Sequence, residues 1–302
     1  MIIDLRYHLA SLVAVFLALG LGILIGGTML KPDALVESQQ QIAGKLAKQL
    51  EQLRRDKEAM QAQVDHLQLS SDLQSDFARQ ILPFLVKGRL EGCRVAVIET
   101  NGLGFPEDLI NTLQTAGARV QSVTTISNIG GKVQQGVWRD QLGGKNLSAA
   151  RLNTCLAGEI ARGIAIGDNR ALLDSLAEAN LIMLSGEYGA PLDAVVLIGG
   201  SRERDMVKTE ALDLALIDYF LARKIPVYGA EETNVLYSSM SDYQKKGIST
   251  VDNIDTVPGQ AALVLAMAGR PGHYGVKSTA QKLFPSLDWP EGCANAANQS
   301  GK

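Results

Sequence analysis

Two acids, Asp252 and Asp255, stand three residues apart in the stretch STVDNIDTVPGQAALVLAMAG (249–269), just ahead of a Pro-Gly pair and an alanine-rich apolar run. Paired carboxylates can act as general acid and base, or meet a ligand at the crevice of an α/β sheet. At the start of a helix they can equally cap amides or complement the helix dipole. A second stretch, LIGGSRERD, sets Gly199, Gly200 and Ser201 behind an apolar run, with Arg202 and Arg204 close by. Backbone amides and guanidinium groups so placed could hold a phosphate or another anion. The candidate cofactor-binding residues are therefore Gly199, Gly200, Ser201, Arg202, Asp252 and Asp255, and ordinary strand-to-helix turns remain the alternative at both places. A third turn, TNGLGFPED, carries Gly102-x-Gly104 but has Glu107 where a dinucleotide fingerprint needs its third glycine. No Gly-Lys-Ser/Thr follows any of these turns, which excludes a P-loop.

Other chemistries find less. There is no G-x-S-x-G, and of the three histidines, His8, His66 and His273, only His273 lies in a loop suited to a catalytic triad. Cys93, Cys155 and Cys293 form no C-x-x-C pair, which argues against a zinc site or a disulfide framework. The seven methionines form no M-x-x-M pair. No catalytic residue can be named, and no enzyme is expected. A net charge of −3 provides no broad basic field, so nucleic acid is not an expected partner.

What would hold such groups in place begins with a membrane segment. Residues 9–30, LASLVAVFLALGLGILIGGTML, carry no charge and make roughly 33 Å of helix, enough to cross a bilayer core. The run is long for a signal-peptide core and no A-x-A-like site follows it, so an uncleaved anchor is expected behind a short tail, residues 1–8. Ala10, Ala14, Ala18, Gly22 and Gly26 recur every fourth residue, a stripe on which a second helix could pack closely. Charge does not settle orientation, because Arg6 precedes the run while Lys31, Lys45 and Lys48 follow it.

Beyond Pro32 the composition turns to Gln, Lys, Glu and Leu with a heptad spacing. A coiled-coil stalk is expected over 34–82, with Leu46, Leu50, Leu53, Met60, Val64 and Leu67 in its seam. Lys57 falls in the same seam, and a single amphipathic helix is the other reading. From residue 90 to 285, buried-type strands such as CRVAVIE, RVQSVTTI, DAVVLIGG and IPVYGAE alternate with helical stretches. That alternation predicts a doubly wound, mostly parallel α/β domain, followed by a flexible tail, 286–302.

The opening MIIDLRYHLASLVAVFLALGLGILIG, the strand DAVVLIGG and the late segment STVDNIDTVPGQAALVLAMAGRPGHYGVKSTAQKLFP resemble the bacterial MctB family, which includes the envelope protein SteB. The resemblance covers essentially the whole chain. It implies a single-pass protein of the cell membrane with an exported C-terminal domain. It further implies either copper transport and homeostasis, or a dimeric envelope scaffold working with a SteA-type partner in cell-wall synthesis and division. Copper enters through the resemblance alone, since Cu(I) favours soft Cys and Met ligands and none are clustered in the sequence. A parallel homodimer would use the small-residue stripe and the heptad seam together. One uncharged helix lines no polar pore, so a scaffold is expected rather than a channel.

Overall fold

The computed structural model describes residues 5–29, 32–104, 106–127, 149–204 and 207–287. The chain divides into two compact units, Met1–Leu73 and Gln74–Lys302. In the first unit, α1 (Leu5–Met29) begins ahead of the uncharged run. Its stretch Arg6–Thr28, of mean hydropathy 2.6, is long and apolar enough to cross a membrane. Gly22 and Gly26 have open space where a β-carbon would stand. A long helix, α2 (Pro32–Val86), follows. Over its Met1–Leu73 portion the apolar residues of the expected seam face solvent: Leu46, Leu53 and Leu67 are all more than half exposed.

In the second unit the last turns of α2 bring Leu82, Leu85 and Val86 into a hydrophobic core. Seven strands form one sheet in the order β3-β2-β1-β4-β5-β6-β7. They are β1 (Arg94–Glu99), β2 (Arg119–Ile126), β3 (Ile182–Gly186), β4 (Ala194–Ile198), β5 (Val227–Ala230), β6 (Ser249–Val251) and β7 (His273–Tyr274). Every pairing is parallel except that of β3 with β2. The central strands β1 and β4 carry the continuous apolar runs VAVI and AVVLI because both of their faces are covered, as parallel sheets require. One face buries Val95, Val97, Val196 and Ile198 under α3 (Glu107–Thr115) and α8 (Val257–Met267). The opposite face buries Ala96, Ile98, Val195 and Leu197 under α4 (Ala149–Ile166), α5 (Arg170–Glu178), α6 (Leu214–Ala222) and α7 (Met240–Lys245). The expected doubly wound, mostly parallel α/β architecture is what the chain adopts.

Some boundaries differ from expectation for local reasons. Val257-Pro258-Gly259 forms the first turn of α8 rather than a turn before it, since proline's fixed φ suits the start of a helix. The N-cap is Thr256, whose hydroxyl accepts from the Gly259 amide at 3.2 Å, so neither Asp252 nor Asp255 caps this helix. The helix expected from Lys208 onward begins as a π-helical turn, Thr209–Asp213, before continuing as α6.

Candidate functional site

The sheet order locates the place where a ligand would meet this fold. From β1 the chain crosses to β2 on one side, and after β3 it returns to β4 on the other side before winding on through β5, β6 and β7. The carboxyl ends of β1 and β4, paired as Glu99 with Ile198, are therefore the topological switch point, the usual crevice of open α/β sheets.

Polar side chains gather at that edge. Glu99 ends β1 fully buried, and its Oε1 accepts from the Gly102 amide at 2.7 Å and the Gly104 amide at 3.3 Å. Asn101, also buried, turns its Oδ1 to the Leu103 amide at 2.8 Å. Among the described residues Glu99 Oε2 and Asn101 Nδ2 have no hydrogen-bond partner. Lys208 Nζ donates to the Thr100 and Ile126 carbonyls, each at 2.7 Å, and so ties together the ends of β1 and β2. Burial pulls its ammonium below the usual lysine range, while the carboxylates of Asp213 and Glu99 act in the opposite direction.

Behind β4 the π-helical turn sets Asp213 in the interior, where burial raises its carboxyl in the neutral-favouring direction despite a 2.7 Å hydrogen bond from the Tyr243 hydroxyl. Gly199 is required at this contact. A β-carbon there would overlap the Tyr243 hydroxyl and stand 3.1 Å from Asp213 Oδ2. Glu231, fully buried past β5, is met by Lys277 Nζ at 2.7 Å, the Ser238 hydroxyl at 2.6 Å and the Ser239 amide at 3.0 Å.

The residues singled out from sequence fall at two neighbouring strand ends. Gly199, Gly200, Ser201 and Arg202 surround the end of β4, whereas Asp252 and Asp255 surround the end of β6. Their polar groups are engaged within the fold. The amides of Gly199, Gly200 and Ser201 donate to the Ala230 carbonyl, the Ser239 hydroxyl and the Tyr237 carbonyl. The Ser201 hydroxyl donates to the Glu203 carbonyl, and Arg202 spans Asn234 and Glu232. Asp252 accepts from the Val276 and Lys277 amides at 2.7 and 3.1 Å, which closes the loop after β7. Asp255 accepts from both the amide and the hydroxyl of Thr233 at 2.8 Å. A cradle of free amides for phosphate is not present among these groups.

Glu99, Asn101, Lys208, Asp213, Glu231 and Tyr243 were not among the residues the sequence brought forward. Two of them carried a legible signal. Glu99 is a charge at the end of the apolar run CRVAVI, and Asp213 sits on the apolar side of KTEALDLALIDYF. For Lys208, Asp213 and Tyr243 the partners lie tens of residues away and leave no local mark.

Soft metal ligands are dispersed. Cys93 packs against the core on the α3 side of the sheet and Met240 is buried in the core on the other. Cys155 and Met183 are exposed. Burial, with the Asp193 carboxylate nearby, pushes the Cys93 thiol up and away from the thiolate that binds metals. Among the described residues no group of three or more His, Cys, Asp or Glu side chains is placed to hold a metal ion. Cys293 and Met206 lie outside the described residues.

A separate groove of about 400 Å³ lies between the end of α2 and helices α3 and α8, lined by Arg79, Leu82, Asp108, Asn111 and Gln260. On comparison with known proteins, a family described as copper transport outer membrane protein, MctB, matches residues 2–285. No curated protein matches the chain.

Proposed function

The chain belongs to the MctB family, and from that premise we propose a single-pass envelope protein with a role in copper transport or homeostasis, acting as a parallel dimeric scaffold rather than as a pore by itself. Membership and the apolar α1 support membrane association. In the proposed topology α1 is the anchor in the cell membrane and the α/β domain is extracytoplasmic.

One observation carries the scaffold reading. In a single chain the seam residues Leu46, Leu50, Leu53, Met60, Val64 and Leu67 are each at least 51% exposed. Large apolar side chains repeated at heptad positions on one helix are covered when a second copy supplies the matching seam. The small-residue stripe of α1, from Ala10 to Gly26, would pair by close approach in the same parallel dimer. Cross-linking of the full chain in detergent should give a dimer, and Leu53→Glu together with Leu67→Glu should convert it to monomer. A wild-type monomer removes the scaffold reading.

The dispersal of Cys93, Cys155, Met183 and Met240 favours a second reading, a non-catalytic scaffold that binds a SteA-type partner in envelope synthesis and division without gripping copper itself. A competition titration of Cu(I) against the full chain, with a chelator fixing the free metal, separates the two. Saturable binding at a fixed ratio per chain supports direct copper handling. No uptake beyond the chelator assigns the domain to its protein partner.

A further inference from the structure

We propose that the crevice at the carboxyl ends of β1 and β4 binds a neutral polyhydroxylated molecule, a monosaccharide or similar polyol, through Glu99 Oε2 and Asn101 Nδ2. The inference goes beyond anchoring, dimerisation and copper, and depends on none of them.

Three observations converge on it. The site is the topological switch point of the sheet, the place where open α/β folds usually bind ligands. Two polar side chains there, Glu99 at 0% and Asn101 at 2% exposure, each keep one atom without a hydrogen-bond partner among the described residues. A buried unpaired polar atom carries a desolvation cost that folded proteins rarely accept without use. The bordering residues Gly102, Leu103 and Gly104 are exposed, so the pair is bordered by solvent-facing chain.

The two atoms define the ligand class. Glu99 Oε2 requires a donor and Asn101 Nδ2 requires an acceptor. A hydroxyl group is both at once, and a neighbouring hydroxyl can occupy the remaining donor capacity of Lys208, whose ammonium already serves two carbonyls. An anion fits poorly. Two of the nearby cations are committed, Arg202 to Glu232 and Asn234, Lys277 to Glu231 and the Glu232 carbonyl. The surrounding carboxylates Glu99, Glu231 and Glu232 would repel a phosphate. A bare cation would leave the Asn101 donor unmet and would sit beside the Lys208 charge.

The test uses the full chain in lauryldimethylamine oxide micelles, which contain no sugar, with D-glucose, D-mannose and N-acetyl-D-glucosamine as probes in saturation-transfer difference NMR. At least one probe should show saturable transfer. Glu99→Gln keeps an oxygen for the Gly102 and Gly104 amides but replaces the free acceptor with a donor. Asn101→Asp keeps the oxygen for Leu103 but replaces the free donor with an acceptor. Each should weaken binding about tenfold or more, while the near-UV circular dichroism of the tyrosines stays that of the wild type. The two variants act on different atoms, so failure of one to fold leaves the other as the test. Absence of saturable transfer for all three sugars overturns the proposal, as does transfer that both variants leave unchanged. Binding of inorganic phosphate that is lost in Lys208→Met also overturns it, in favour of an anion site.

Discussion

Substituting Gly199 by alanine should destabilise the α/β domain through one oxygen atom, and removing that oxygen should restore most of the loss. A β-carbon at Gly199 overlaps the Tyr243 hydroxyl, stands 3.0 Å from Tyr243 Cζ and lies 3.1 Å from Asp213 Oδ2. Tyr243 is fully buried and hydrogen-bonded to Asp213, so it has no room to retreat. Overpacking of this kind costs about 1–3 kcal/mol, offset by about 0.5 kcal/mol from the stiffer unfolded chain. Tyr243→Phe alone should cost about 2 kcal/mol, because it strips a buried carboxyl of its donor. In the double variant the overlapping oxygen is gone, and the 3.0 Å approach to the ring edge and the 3.1 Å approach to Asp213 Oδ2 remain. The two substitutions should therefore couple by about 1 kcal/mol in the favourable sense, a departure from additivity typical of residues in contact. Urea unfolding followed by near-UV circular dichroism reads this directly, since of the seven tyrosines only Tyr7 lies outside the sheet domain. Strict additivity would refute the packing argument at the end of β4.

Two further substitutions probe the ionic contacts. Lys277→Met removes the cation that meets the fully buried Glu231 and should cost about 3 kcal/mol, because a buried carboxylate is left without its charge partner; urea unfolding measures it, and a loss within error would show that Ser238 and Ser239 suffice. Asp193 is held down to about 2 by hydrogen bonds from the Arg94 guanidinium and amide. Its folded value lies below its unfolded value near 3.9, so its contribution is present above about pH 4 and lost as pH falls through about 2. The deficit of Asp193→Asn should accordingly be small at pH 7, given the exposure of the pair, and should vanish as acid unfolding curves are compared from pH 4 to pH 2.

The sheet was legible because short runs of β-branched and apolar residues are set between helical periods, VAVI in β1 and AVVLI in β4 most plainly. RVQSVTTI is β2 residue for residue, and CRVAVIE exceeds β1 only by Cys93. RALLDSLAEANLIML has helical spacing at its start and strand-like residues at its end, and these are α5, to Glu178, and β3, from Ile182; what the pattern does not carry is the antiparallel sense of β3, reached through Asn180 in the left-handed region. The candidate site was only half legible. Glycine at 199 announced a turn, but the reason for it is the Tyr243 ring packed across β4, and nothing in LIGGSRERD encodes a tyrosine more than forty residues later. Asp252 and Asp255 looked like a pair because they are near in sequence, yet each serves a different loop. Proximity along a chain predicts shared chemistry only when the backbone keeps both side chains on one face.

The strand order also governs how this domain is made. β1 can pair with β2 as soon as the next few dozen residues emerge, since Arg94 meets Arg119. Its other edge must wait for β4, where Val95 meets Ala194 across nearly a hundred residues. At about 5–20 residues per second of synthesis, that interval lasts roughly 5–20 s. Throughout it the central strand VAVI presents an open hydrogen-bonding edge and an apolar side to whatever is near, the condition under which strands pair with the wrong neighbour. Truncation before residue 194 should therefore yield an aggregate rather than a smaller folded protein.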